Sequence, residues 1–134
     1  MEKSESLTEI AISTLSAERQ VFDEDYAGHS IKYRLLNAKE DLEASALSKK
    51  YKDTIQADLA QMTAIFALSV ISVDGQPFYT PISSNFTKTC DDRWEIACTY
   101  YAIFISHWYE NYINHLVDLA DVFDNLKKKS EDFN

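Results

Sequence analysis

The chain has 134 residues, the usual length of a single domain, which leaves no room for a second core of comparable size. Hydrophobic residues make up 46% and charged residues 26% of the sequence, a balance typical of a chain that buries a core rather than stays disordered. Acidic side chains outnumber basic ones 22 to 13, and the net charge of −9 would repel nucleic-acid phosphates and anionic lipid headgroups. We therefore expect neither a nucleic-acid partner nor a membrane partner.

Three further features bear on where the protein works. The longest apolar stretch, residues 62–71, is much shorter than the roughly 20 residues of a membrane-spanning helix. The acidic residues 1–6 lack the basic and apolar regions of a signal peptide. Cys90 and Cys98, if both are helical, lie about 12 Å apart along the axis. A disulfide needs Cα atoms within about 7 Å, so these features predict a cytoplasmic protein with reduced thiols.

Residues 7–19 fit two kinds of secondary structure. Ser6, followed three positions later by Glu9, forms a capping box. A stripe with helical spacing comes after the cap: Leu7, Ile10, Ala11, Thr14 and Leu15. The alternation of Ile10 and Ile12 around Ala11 also fits a strand. The cap favours a helix, but both alternatives stay open.

A short β-hairpin is expected over residues 20–36. Val21-Phe22 and residues 31–35 have the composition of strands, and the acidic segment 23–28 between them indicates a turn. This connection of about six residues is longer than the commonest hairpin turns.

Two helices, or one kinked helix, are predicted between residues 38 and 70. Asn37 supplies the N-cap, and Glu40 at the third helical position completes a capping box. Apolar residues recur on both sides of the charged segment 49–53: Leu42, Ala46, Leu47, Ile55, Leu59, Met62, Phe66 and Val70.

Asp74-Gly75 is the strongest turn signal, because glycine tolerates the positive φ of a tight turn. The preceding helix must end before this turn. Residues 76–89, which contain two prolines, are expected to form a loop with a short extended piece at Phe78-Tyr79.

The clearest predicted element is one long helix over residues 91–129. Asp91 and Asp92 fall in its expected first turn and residues 127–129, all lysine, near its end, where these charges oppose the helix dipole. Its apolar seam repeats at steps of three and four: Trp94, Cys98, Tyr101, Ile105, Trp108, Tyr112, Leu116, Leu119, Phe123 and Leu126. Further apolar residues widen the seam: Ile103, Phe104, Tyr109 and Ile113. The surface is broader than one helix pairing needs.

Six aromatic residues of this helix form the predicted partner-binding surface: Tyr100, Tyr101, Phe104, Trp108, Tyr109 and Tyr112. Tyrosine and tryptophan supply large contact areas with few rotatable bonds, which is why they dominate binding hot spots. The simpler interpretation, favoured for the narrow seam, is that the stripe is the protein's own core.

No constellation in the sequence predicts catalysis. His107, Asn111 and His115 share one helix face, but the other ligands of a zinc or carboxylate-bridged site are absent from the sequence pattern. Only two glycines occur, so there is no glycine-rich phosphate loop. The acidic residues 23–25 lack the ligand spacing of a calcium loop. We expect a non-enzymatic protein with no metal and no cofactor.

The expected fold is mainly α. One small helical domain should span residues 1–129, with a long C-terminal helix and a short β-hairpin near the N-terminus. Residues 130–134 are expected to form a short polar tail.

Two segments resemble a known family. Residues 30–41 (Ser-Ile-Lys-Tyr-Arg-Leu-Leu-Asn-Ala-Lys-Glu-Asp) are similar to the strand, arginine and acidic helix start of bacteriophage tail and baseplate assembly chaperones. Residues 67–77 (Ala-Leu-Ser-Val-Ile-Ser-Val-Asp-Gly-Gln-Pro) are similar to the helix end and Asp-Gly turn that many of these chaperones place before a last helical region.

The resemblance implies a particular partner. Such chaperones are small, mostly helical proteins that bind the long, apolar tape-measure protein and recruit tail-tube subunits around it. A tail assembly chaperone in the host cytoplasm is therefore expected, with a tape-measure or tail-tube protein as its client. A structural subunit of a phage neck, tail or baseplate ring, with the stripe packed in a homo-oligomer, is the alternative. A small metal-binding protein or enzyme is the third.

Overall fold

The computed structural model describes residues 20–78 and 85–132, with side chains described up to residue 129. The strands in these ranges are β1 (Phe22–Tyr26), β2 (His29–Tyr33), β3 (Val70–Val73) and β4 (Gln76–Pro77). The α-helices are α1 (Ala38–Ser48), α2 (Ala57–Ser69), α3 (Phe86–Ala97) and α4 (Ala102–Asp132), with a 3-10 turn at Lys49–Tyr51. The mainly α fold, its long C-terminal helix and the N-terminal hairpin are thus confirmed. The element expected in residues 7–19 lies outside the described residues.

The hairpin closes through a tighter turn than predicted. Ala27 and Gly28 both have positive φ, of 51° and 83°, as in a type I′ two-residue turn. The expected six-residue acidic turn is therefore wrong, because its acidic residues lie within β1. Glu24 faces inward between Phe22 and Tyr26 at half-buried positions, and a strand alternates its faces in this way.

The four strands form one antiparallel sheet in the order β1-β2-β3-β4. The predicted Asp74-Gly75 turn is confirmed, with φ values of 52° and 79°, and it joins β3 to β4. The Asp74 carboxylate accepts a hydrogen bond from the Ser30 amide at 2.8 Å and lies 2.7 Å from Nδ1 of His29. This carboxylate therefore links the two hairpin turns across β2.

The two helices expected between residues 38 and 70 are confirmed, and so is the cap of the first. Oδ1 of Asn37 accepts from the Glu40 amide at 2.9 Å, while Oε1 of Glu40 accepts from the Asn37 amide at 3.0 Å. Ile55 lies before α2 and is fully exposed rather than part of its apolar stripe. Val70 belongs to β3, which follows α2 without a loop.

The second of these helices, α2, is the centre of the core. Every residue from 63 to 70 is buried, because α1, α3 and α4 all pack against this segment. Arg93 of α3 donates hydrogen bonds to carbonyl groups at the C-terminal end of α2. Nε of Arg93 donates to the Ala67 carbonyl at 2.6 Å, and Nη2 donates to the Val70 carbonyl. One guanidinium thus joins the helix end to the start of β3.

The single long helix predicted over residues 91–129 is wrong, because α3 and α4 are separated at residues 98–101. The earlier helix begins at Phe86, where Oδ1 of Asn85 accepts from the Lys88 amide at 3.0 Å. Asp91 and Asp92 consequently lie beyond its first turn. At the two ends of the loop expected over residues 76–89, the structure has β4 and the start of α3 instead. Residues 79–84, which include Tyr79 of the expected extended piece, lie outside the described residues. The later helix continues to Asp132, into the expected polar tail.

Local bonding and packing together explain the break. The Thr99 hydroxyl donates to the Ile96 carbonyl at 2.6 Å, which competes with helix propagation. The Tyr100 amide bonds the Ala97 carbonyl three positions earlier, at 3.1 Å, as a helix end does. An unbroken helix over the predicted range would be about 58 Å long, more than a domain of this size can cover. Both sides of the break instead turn their apolar stripes toward one core.

Candidate functional site

The six aromatic residues predicted to bind a partner fall into three environments. Trp108 and Tyr112 are buried, whereas Tyr100, Phe104 and Tyr109 are half-buried. Tyr101 is 84% exposed. The proposed aromatic surface is therefore divided between the interior and the exterior of the protein.

Trp108 lies at the centre of the core. Its ring centroid is 5.3 Å from that of Tyr33 and 5.1 Å from that of Phe66, in edge-to-face arrangements. Tyr112 packs beside it at 5.3 Å, and its hydroxyl accepts a hydrogen bond from the Leu36 amide at 3.2 Å. Burial raises the pKa of Tyr112 to about 12. These two residues hold α4 to the sheet and offer no surface to a partner.

Phe104 and Tyr109 lie at the edge of this core. The Phe104 ring is 6.3 Å from Tyr26 and 6.4 Å from Phe66, and the Tyr109 ring is stacked on Tyr112 at 5.9 Å. Both side chains are thus partly buried and packed against the core.

Tyr100 and Tyr101 lie in the break between α3 and α4, and a cleft opens beside them. It has a volume of about 270 Å³ and is bounded by the 3-10 turn, α2 and the two helix ends. Its lining includes six residues with apolar side chains larger than alanine: Tyr51, Leu59, Trp94, Cys98, Tyr100 and Ile105. We refer to this feature as the junction cleft.

The walls of the junction cleft are held in place by packing behind them. Tyr100 contacts Phe66 and Phe78, with ring centroids at 5.2 and 5.8 Å. Two further lining residues, Tyr51 and Trp94, have their ring centroids 6.4 Å apart. Such supported aromatic walls allow the cleft to receive an apolar side chain without first rearranging.

The rim of the junction cleft is apolar and accessible. Leu59 and Cys98 of the lining are exposed, and Tyr101 is the chain neighbour of two further lining residues. Ile55 is fully exposed next to Gln56, another lining residue. A largely apolar cleft with exposed apolar residues in its lining and next to that lining in the chain is typical of a protein-interaction site.

Sequence reasoning missed the cleft because its walls come from separate parts of the chain. The 3-10 turn, α2 and the helix junction each contribute side chains, and no local pattern shows that they meet. One signal was available: residues 99–101, Thr-Tyr-Tyr, have low helix propensity within the predicted long helix.

The helix face that was considered as a metal site contains His107, Asn111 and His115. Two of these residues, Asn111 and His115, contact β1. Nε2 of His115 lies 2.6 Å from Oε1 of Glu24, and Nδ2 of Asn111 donates to the Tyr26 hydroxyl at 2.7 Å. His107 is exposed. Burial and the neighbouring Glu24 raise the pKa of Tyr26 to about 12, so this phenol remains protonated.

Among residues 20–78 and 85–132, no group of three or more His, Cys, Asp or Glu side chains could hold a metal ion. Both cysteines are free thiols. In the same part of the chain, no helix has the length and apolar character needed to cross a membrane.

Comparison of the chain with protein-family models, with curated proteins and with solved structures found no match. The resemblance of residues 30–41 and 67–77 to tail assembly chaperones therefore stays a prediction.

Proposed function

We propose that this protein binds an apolar segment of a partner protein and catalyses no reaction. The junction cleft receives an apolar side chain of that segment, while Tyr101 and Ile55 cover its flanks. The observation that carries this proposal is an open, largely apolar cleft whose lining residues Leu59 and Cys98 are exposed and have the exposed Tyr101 and Ile55 near them in the chain. Such surface is costly to leave in water unless a partner covers it.

The geometry supports binding of moderate strength. Burial of one aliphatic or aromatic side chain in a preformed cleft contributes about 1.5–3 kcal/mol, and the rim adds contact area around it. Tyr101 is well suited to this role because its ring has few rotatable bonds to immobilise. The expected ligand is an amphipathic helix or extended segment with one large apolar anchor.

Within this class, we propose a phage tail assembly chaperone that works in the host cytoplasm. Its client would be the tape-measure protein or a tail-tube protein. The support is the sequence resemblance together with the binding site: a long apolar client presents many anchors that the junction cleft could hold. The net charge of −9 would help to keep a loaded complex in solution.

Overlapping peptides of a phage tape-measure protein provide a direct test, with binding followed by fluorescence anisotropy. Tyr101→Ser should weaken binding about 5- to 30-fold, the effect of losing roughly 1–2 kcal/mol at a hot spot. Bound peptide should also slow alkylation of Cys98, whose thiol lines the cleft.

Val117→Ser is the matched control, because Val117 is also an exposed apolar residue but lies on α4 away from the cleft. It should leave the affinity unchanged. Absence of binding by every peptide, or binding that neither depends on Tyr101 nor protects Cys98, would contradict the proposal. A stable symmetric oligomer that binds no peptide would favour a structural ring subunit instead.

A further inference from the structure

The junction cleft has a basic edge on an otherwise acidic protein. Lys49, Lys50 and Lys52 flank Tyr51, which lines the cleft, and all three lysines are exposed. They are three of the chain's 13 lysine and arginine residues, whereas the net charge is −9. No carboxylate in the described part of the chain forms an ion pair with any of these ammonium groups. Their positive charge is therefore available to a ligand of the cleft.

Two interactions place the Lys50 ammonium group at the cleft itself. Its Nζ atom lies 5.1 Å from the centroid of the Tyr51 ring. It also acts on Cys98, which lines the cleft together with Tyr51. Burial raises the pKa of the Cys98 thiol, Glu95 adds to this rise, and Lys50 opposes it. One positive and one negative side chain thus act on the same thiol in the cleft lining.

We propose that the partner segment carries a carboxylate beside its apolar anchor, and that Lys50 pairs with this carboxylate while the anchor occupies the junction cleft. This inference rests on the proposed function of the cleft, because a bound anchor holds the neighbouring carboxylate close to Lys50. Lys49 and Lys52 add positive potential along the same turn. Glu95 disfavours a second acidic residue near Cys98, and this gives the bound segment a direction.

The negative net charge of the protein does not prevent this pairing. At physiological ionic strength the Debye length is about 8 Å, so exposed charges beyond that distance are largely screened. The charges nearest to the ligand therefore decide the interaction. An exposed ion pair contributes little by itself, but it selects among apolar segments whose anchor supplies most of the binding energy. The expected partner is thus an acidic apolar segment rather than a neutral or basic one.

Two dyes with the same aromatic skeleton test the charge preference. The anion 8-anilino-1-naphthalenesulfonate is compared with N-phenyl-1-naphthylamine, which lacks the sulfonate and is neutral. The readout is the dye concentration that halves the rate at which iodoacetamide alkylates Cys98 in each variant, so dye bound away from the cleft does not count. Lys50→Glu should raise this concentration about 3- to 10-fold for the anionic dye and less than about twofold for the neutral dye.

Lys88→Glu is the matched control, because it makes the same change in net charge at an exposed lysine in the first turn of α3. Lys88 lies about 15 Å along the helix from Cys98, which is beyond the Debye length. This variant should alter protection by neither dye. Lys50→Met removes the charge but keeps an apolar stem, so it should weaken protection by the anionic dye less than Lys50→Glu does.

The outcomes separate the charge preference from the binding site. An equal effect of Lys50→Glu on both dyes, or an equal effect of Lys50→Glu and Lys88→Glu on the anionic dye, would overturn the proposal and leave the cleft as an apolar binding site. Protection of Cys98 by the neutral dye alone would overturn it in the same way. Failure of both dyes to protect Cys98 in the unaltered protein would contradict the proposed function as well, because the cleft would then receive no apolar ring.

Discussion

Nε2 of His115 lies 2.6 Å from Oε1 of Glu24, and this contact joins α4 to the first strand across 91 positions of the sequence. The other carboxylate oxygen accepts from the Tyr26 hydroxyl. Burial by itself raises the pKa of Glu24, but these hydrogen bonds outweigh it, so the pKa lies below the ordinary value of 4.5. The ionised carboxylate therefore stabilises the contact between sheet and helix.

Glu24→Gln should lower the free energy of unfolding at neutral pH by about 1 kcal/mol, a value reduced by the partial exposure of the contact. Because the folded pKa is lower than the unfolded one, the stabilisation is present above pH 4.5 and is lost as the pH falls through the folded pKa. The free energies of unfolding of the variant and the unaltered protein, measured in urea, should thus differ at pH 7 and converge once the pH has fallen below the folded pKa of Glu24.

Asp25→Asn is the control for this effect, since Asp25 is an exposed carboxylate one position along β1. It should change stability by less than about 0.5 kcal/mol. Equal stability of Glu24→Gln and the unaltered protein at pH 7 would show that the carboxylate has no such role.

Ala27→Asn should stabilise the first hairpin. Ala27 has a φ of 51°, where its methyl group is strained, whereas Asn-Gly is the preferred pair for a type I′ turn. The expected gain is about 0.5–1 kcal/mol, visible as a higher Tm. Ala46→Asn, at an exposed position within α1, should instead lower the Tm. A lower Tm for Ala27→Asn would contradict the assigned turn geometry.

Arg93→Lys should destabilise the protein although it preserves the charge. The planar guanidinium donates to the carbonyl groups of Ala67 and Val70 at once, and one ammonium cannot reproduce this fork. We expect a loss of about 1–2 kcal/mol in chemical unfolding. Lys88→Ala, at an exposed cation on the same helix, should have little effect. No loss of stability in Arg93→Lys, or an equal loss in both variants, would contradict the role of the guanidinium fork.

The two thiols should react in a fixed order. Burial raises the pKa of Cys90 to about 11 and also raises the pKa of Cys98, which is nevertheless exposed. Because the thiolate is the reactive form, Cys98 should be alkylated by iodoacetamide first, more slowly than a free cysteine peptide at pH 8. Cys90 should react only in denaturant. Peptide mass spectrometry measures both rates, and early labelling of Cys90 would contradict its buried position.

Local sequence signals predicted the elements that depend on near neighbours. Asn37 and Glu40 satisfy each other's amides within one helical turn, and Asp74-Gly75 adopts the backbone conformation that its residue types favour. Binary patterning also identified the long C-terminal helix and the hairpin. Each of these features is decided within a few residues, so the sequence shows them directly.

The sequence by itself determined a mainly helical, acidic protein with an aromatic-rich C-terminal region. Only the tertiary structure decided where that region breaks and which aromatics are accessible. The apolar spacing continues through residues 98–101 because α3 and α4 both pack against one core. Apolar periodicity indicates which face of a helix is buried, but it does not show where the chain changes direction. Trp108 and Tyr112 are buried for the same reason. Tyr101 remains at the junction, beside a cleft that forms only when distant segments pack together.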